Sequence, residues 1–158
     1  MTILVAVELS RASLHLLNFA QGLALKCGAR VCLLHVADPE PDFVGYEPGP
    51  QNVRKQVAHK YQSAHRKLQL SGEKLRRAQI QTTALVVQGP TAELILSEAE
   101  KLQADLIVLG ASRHTALRRA LLGSVTTQVI RNAATPVVIV PLAAPRTKAR
   151  SGRKSATV

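Results

Sequence analysis

The 158-residue sequence predicts an α/β fold: an open five-stranded parallel sheet in the order 3-2-1-4-5 with helices on both faces, Rossmann-like in plan. Three observations predict it. Five short segments are apolar, rich in β-branched residues and nearly continuous, as strands buried on both faces are. Between them lie segments whose apolar residues recur at intervals of three and four, the helical period. Strand and helix alternate along the chain, which calls for right-handed crossovers.

The expected strands are residues 3–7, 31–36, a weaker 81–87, 106–109 and 137–140. The first helix is expected over residues 10–27, with Leu14, Leu17, Ala20 and Ala24 on its buried side and Ser10 as its N-cap. The set Val53, Val57, Tyr61, Ala64 and Leu68 then marks a one-sided amphipathic helix whose other face carries Arg, Lys, Gln and His. Gly89 and Pro90 open a third helix bearing Ile95, Ala99 and Leu102, since proline is tolerated in a first turn. Residues 124–132 form a short fourth. Residues 38–50, DPEPDFVGYEPGP, hold four of the eight prolines and read as a flexible loop over the sheet edge.

At 46% hydrophobic residues the chain can bury one core, and the expectation is one domain over residues 1–143 followed by a disordered basic tail, 144–158. No apolar run approaches the roughly 20 residues of a membrane-spanning helix. MTILVAVE lacks a basic leader, so export is not expected and the cytoplasm is. Cys27 and Cys32 form no CxxC or Cys/His set and read as two buried thiols in a reducing compartment.

The net charge of +11 is unevenly spread. Residues 1–105 hold 12 basic and 10 acidic side chains, whereas residues 106–158 hold nine basic and none acidic. Five of the nine, Arg146, Lys148, Arg150, Arg153 and Lys154, lie in the tail, which has the composition to contact polyanions. The others are Arg113, Arg118, Arg119 and Arg131.

In sheets of this kind ligands bind beyond the carboxyl ends of the strands, where the winding reverses. There the segment GASRHTALRRALLGSV, residues 110–125, leaves the fourth strand and ends at Gly123-Ser124, the start of a helix. A glycine such as Gly110 lets backbone approach a ligand, and free first-turn amides with a serine hydroxyl attract an anion, phosphate being the natural one. Arg113, His114, Arg118 and Arg119 supply positive charge nearby. The same residues also read as an ordinary capped helix start and a solvated face. Glu8, at the end of the first strand, is placed to accept hydrogen bonds from ribose hydroxyls, or to serve as a loop carboxylate. Val36, ending the second strand, can pack on a flat base or in the core.

Several chemistries are excluded. There is no GxxxxGK[ST], no GxGxxG after the first strand and no GxSxG. His59 and His65 are six apart and do not share a helix face as zinc ligands would; His15 and His35 read as structural. With two Phe, two Tyr and no Trp, platforms for stacking single-stranded bases are scarce.

These residues, in this order, resemble the universal stress protein family: ILVAVELS its first strand, VCLLHVADP its second, ADLIVLG its fourth, and GSVTTQVIRNAATPVVIVPL its last helix and strand. The resemblance runs from Thr2 to about Leu142. The nucleotide-binding branch of that family carries Gly, two residues, Gly, nine residues, then Gly-Ser or Gly-Thr. Gly110, Gly123 and Ser124 keep this spacing, Arg113 stands where the middle glycine belongs, and Glu8 replaces the usual Asp. The resemblance implies ATP, with Mg2+, as the ligand. It sets Ala6, Val7 and Glu8 against base and ribose, Val36 and Leu109 against the base, and Gly110, Arg113, Gly123, Ser124 and Val125 against ribose and phosphates. It also implies a stress-response regulator that is a binding module rather than an enzyme, any ATP hydrolysis being slow and incidental. A homodimer is implied too, paired through Val137, Val138, Ile139 and Val140, an apolar edge flanked by Pro136 and Pro141. The alternatives are a nucleotide-free dimeric interaction protein whose pocket Arg113 closes, and electrostatic association of the tail with nucleic acid or acidic membrane.

Overall fold

The structure, a computed structural model, describes residues 1–37, 51–112 and 123–142. The expected loop 38–50, the segment containing Arg113, His114, Arg118 and Arg119, and the tail 144–158 lie outside the described residues. The elements are β1 (Thr2–Ala6), α1 (Ser13–Cys27), β2 (Arg30–Ala37), α2 (Gln51–Arg77), β3 (Thr82–Gln88), α3 (Thr91–Lys101), β4 (Leu106–Ser112), α4 (Ser124–Asn132) and β5 (Val137–Leu142). All four strand pairings are parallel and the sheet order is β3-β2-β1-β4-β5.

Two apolar clusters explain why the strands read as continuous runs. Successive side chains of a strand point to opposite faces. Ile3 and Val5 of β1 therefore join Val31, Leu33 and Val108 beneath α1 and α2, while Leu4 joins Cys32, Leu34, Ile107 and Leu109 beneath α3 and α4. Both layers are closed by helix stripes: Leu16, Leu17, Ala20 and Ala24 with Leu68 and Leu75 on one side, Ala92, Ile95, Ala99 and Val129 on the other.

Three expectations need correction. The first helix starts at Ser13, not Ser10. Ser10 donates its N–H to Ser13 Oγ (3.0 Å) and accepts the Ser13 N–H (3.1 Å), so this pair forms a turn ahead of the helix rather than a cap upon it. That start makes Leu16 the inward residue and leaves Leu14 55% exposed. Cys27 is exposed in the last turn of α1, which ends on Gly28 in the left-handed region (φ 59°), where glycine carries no Cβ penalty. Cys32 is buried as expected, and burial, with the Glu98 charge adding to it, pushes its thiol up to about 11.

The helix marked by Val53 to Leu68 continues to Arg77 and is 27 residues long, about 40 Å at 1.5 Å per residue. Its second half is held by Leu75, which is 2% exposed. Truncating Leu68 or Leu75 to alanine belongs to the class of core deletions that cost about 2–5 kcal/mol.

The amino ends of the strands are tied together. Asp105 accepts the Thr2 N–H on Oδ2 (2.7 Å), and Arg30 Nε donates to Thr2 Oγ1 (2.6 Å).

Candidate functional site

At the opposite, carboxyl end the sheet opens into a cleft of about 370 Å³ between the ends of β1, β2 and β4 and the first turns of α1, α3 and α4. Parallel strands followed by helices bring helix N-termini to this rim, and the positive ends of three helix dipoles converge there. Ser13, Thr91 and Thr126, one residue from the first turn of each helix, supply hydroxyl groups to the wall.

Of the residues expected at a site, Ala6, Val7, Glu8, Val36, Leu109, Gly110 and Val125 line this cleft. Gly123 and Ser124 stand at its α4 end, exposed and outside the lining. Arg113 lies outside the described residues. Part of the wall is apolar: Val36, Leu34, Leu109 and Ile95. Among the described lining residues the one carboxylate is Glu8, and there is no Lys or Arg.

Glu8 is placed by two devices. Val7 N–H donates to Leu34 O (2.8 Å), carrying the ladder one residue past β1. His35 Nδ1 then lies 2.7 Å from Val7 O. A carbonyl only accepts, so Nδ1 carries the proton of this bond. The chain turns immediately afterwards. Leu9 adopts φ 58°, a left-handed conformation costly for a residue with a γ-branched side chain, and the packing of Leu9 against the core holds it there. The turn leaves Glu8 exposed at the mouth of the cleft.

The two glycines expected to serve a ligand differ. A Cβ at Gly110 would lie 2.6 Å from Leu142 Cδ1 and 3.1 Å from its Cγ, so glycine is required there by the protein's own last strand. At Gly123 a Cβ would meet nothing within 4 Å among the described residues, and φ −57° is open to any amino acid. Neither packing against the described residues nor backbone conformation asks for glycine at 123. No described side chain caps α4, and a helix leaves its first N–H groups without intrahelical partners, so those of Ser124, Val125 and Thr126 have none within α4.

Residue-by-residue reading of the sequence misses Ser13, His35, Thr91 and Thr126. The available signal is positional: each hydroxyl lies within three residues of a helix start that follows a strand, and His35 sits one residue before Val36. His15, His59 and His65 are exposed and away from the cleft. No group of three or more His, Cys, Asp or Glu side chains capable of holding a metal ion occurs among the described residues. No described helix is long and apolar enough to cross a membrane.

The family model described as the universal stress protein family matches residues 1–141. A universal stress protein of Methanocaldococcus jannaschii is 35% identical over 140 residues, covering 87% of this chain and 80% of its own. Among solved structures, a universal stress protein in complex with cAMP aligns with TM-score 0.62 at 22% identity, over 90% of this chain and 98% of that one. The universal stress protein of Archaeoglobus fulgidus in complex with dAMP aligns with TM-score 0.59 at 22% identity, over 88% and 96%.

Proposed function

The chain belongs to the universal stress protein family, and from that premise we propose that it is a nucleotide-binding stress-response regulator. The ligand is an adenine nucleotide, ATP with Mg2+ in the first instance, held in the cleft at the carboxyl end of the sheet. One observation carries this reading: a side chain at Gly123, at the first turn of α4, would meet no described residue, and the backbone conformation there does not need glycine. Main-chain amides and dipole at such a corner suit phosphate. The apolar wall of Val36 and Leu109 suits a purine face, and Glu8 at the mouth suits ribose hydroxyls. Structural neighbours that hold cAMP and dAMP support the adenine class.

The role is binding rather than turnover. No hydroxyl among the described lining residues is hydrogen-bonded to a base: Ser13 Oγ accepts the Ser10 N–H, and the His35 ring is bonded through Nδ1 to Val7 O. A homodimer through β5 completes the proposal, supported by the uncovered edge described below.

Isothermal titration with ATP, ADP and AMP, with and without Mg2+, tests it. Saturable binding is expected, weakened at least about tenfold, or about 1.4 kcal/mol, by Gly123→Val, which sets a side chain at that corner. Absence of heat with every nucleotide at millimolar concentration would overturn the reading and leave the nucleotide-free interaction protein.

A further inference from the structure

We propose that the outward face of α2 binds the phosphate backbone of duplex nucleic acid without reading its sequence. This is independent of the nucleotide cleft, which lies at the carboxyl end of the sheet. The helix holds eight of the chain's 21 basic residues and a single carboxylate, Glu73. Folding sorts those charges. Leu68 and Leu75 take the inner side, and Arg76 turns inward to donate to Thr82 O. Lys60, Lys67 and Lys74 remain exposed, and none of them meets a carboxylate among the described residues. Glu73 is engaged with Arg77 at 3.9 Å.

A spacing of seven residues is nearly two helical turns, so the three lysines form one row with steps of about 10.5 Å. The row spans about 21 Å, the rise of about six base pairs, and exposed Arg66 and His59 lie beside it. A row of exposed cations that meets no carboxylate among the described residues complements a linear polyanion. The chemistry of the face narrows the class. Leu70 is the one large apolar side chain standing out from its middle, too little to enter a bilayer as an interfacial helix does or to form the apolar centre of a protein interface. Tyr61, the helix's one Phe, Tyr or Trp, is tethered by its hydroxyl to Val86 O, and a single ring is too little for stacking successive unpaired bases. Contacts of lysine with phosphates, indifferent to sequence, are what remain.

The test is fluorescence anisotropy of a short labelled DNA duplex titrated with the full chain over a range of salt. Three variants are compared with wild type: Lys60→Gln/Lys67→Gln/Lys74→Gln, its charge-keeping counterpart with Arg at the same positions, and Arg11→Gln/Lys26→Gln/Arg131→Gln, which loses equal charge elsewhere. The α2 Gln variant is expected to bind at least tenfold more weakly at low salt. Its slope of log K against log[salt] is expected to be smaller by about 2.7, three contacts at 0.9 each. The Arg variant retains affinity, and the control loses less than half as much slope. Circular dichroism and thermal melting verify that each variant is folded. Equal losses in the two Gln variants would overturn the proposal, as would no loss in the α2 variant. So would binding to phosphatidylglycerol vesicles that depends on the same lysines, without duplex binding, which assigns the face to an acidic lipid surface.

Discussion

The two edges of the sheet are treated differently by the fold. On β3, alternate carbonyls face away from β2, and three α2 side chains reach over to them: Arg76 Nε to Thr82 O (3.0 Å), Gln69 Nε2 to Ala84 O (3.3 Å) and Tyr61 Oη to Val86 O (2.9 Å). The partners lie at successive outward positions, so the acceptors of that edge are engaged by the chain itself. On β5 the pairing of Ile107 N–H with Pro136 O fixes the parity. The main-chain groups of Val137 and Ile139 therefore face outward, followed by Pro141, which has no N–H. No described side chain covers them. An exposed apolar edge invites aggregation, and among the described residues only the β3 edge is protected. This contrast supports the proposed homodimer, with Pro141 limiting how far the pairing runs.

The largest effect is expected on the open edge. Ile139→Pro removes an outward N–H while leaving the ladder to β4 intact. Wild type is expected to sediment as a dimer and the variant as a folded monomer at micromolar concentration, a loss of at least about a thousandfold or about 4 kcal/mol of association. A dimer that survives this change pairs elsewhere.

Next in size is the closed edge. Tyr61→Phe, Gln69→Leu and Arg76→Met together free the three carbonyls, at about 1 kcal/mol per hydrogen bond, or about 3 kcal/mol read from the urea midpoint. Light scattering is expected to show concentration-dependent assemblies larger than a dimer, since a second open edge lets chains join without closing. Unchanged stability and assembly would mean that the capping bonds do not guard β3.

The smallest effect is expected where β5 meets the cleft. Gly110→Ala sets a methyl group against Leu142, which is 4% exposed, and is expected to cost about 1–2 kcal/mol of unfolding free energy. The pairing of β5 with a partner should be little changed. A neutral result would show that Leu142 yields freely, and would return the requirement for glycine at 110 to the ligand.

Much of this fold was legible because its signals are local. Continuous apolar runs identify strands buried on both faces, and α4 is observed over Ser124–Asn132 as its sequence predicts. Elsewhere local pattern misled. Leu14 and Leu16 are both plausible inward residues until the turn at Ser10–Ser13 sets the phase of α1. The continuation of α2 past Gly72 depends on Leu75 finding the core. At the candidate site, the motif residues fall along one cleft, but the hydroxyls of Ser13, Thr91 and Thr126 come from three separate helices and share no motif.

Residue order alone determined the element types, their alternation and the parallel sheet, because burial on two faces and crossover handedness leave few other arrangements; the strand order 3-2-1-4-5 came with the family resemblance. Tertiary contact decided the rest. Gly110 is required because Leu142, 32 positions away, packs over it. The β3 edge is closed because α2 lies alongside it. The lysines of α2 form an exposed row because the helix buries its other side. Such relations are set by which surfaces meet in space, and no periodicity within a segment records them.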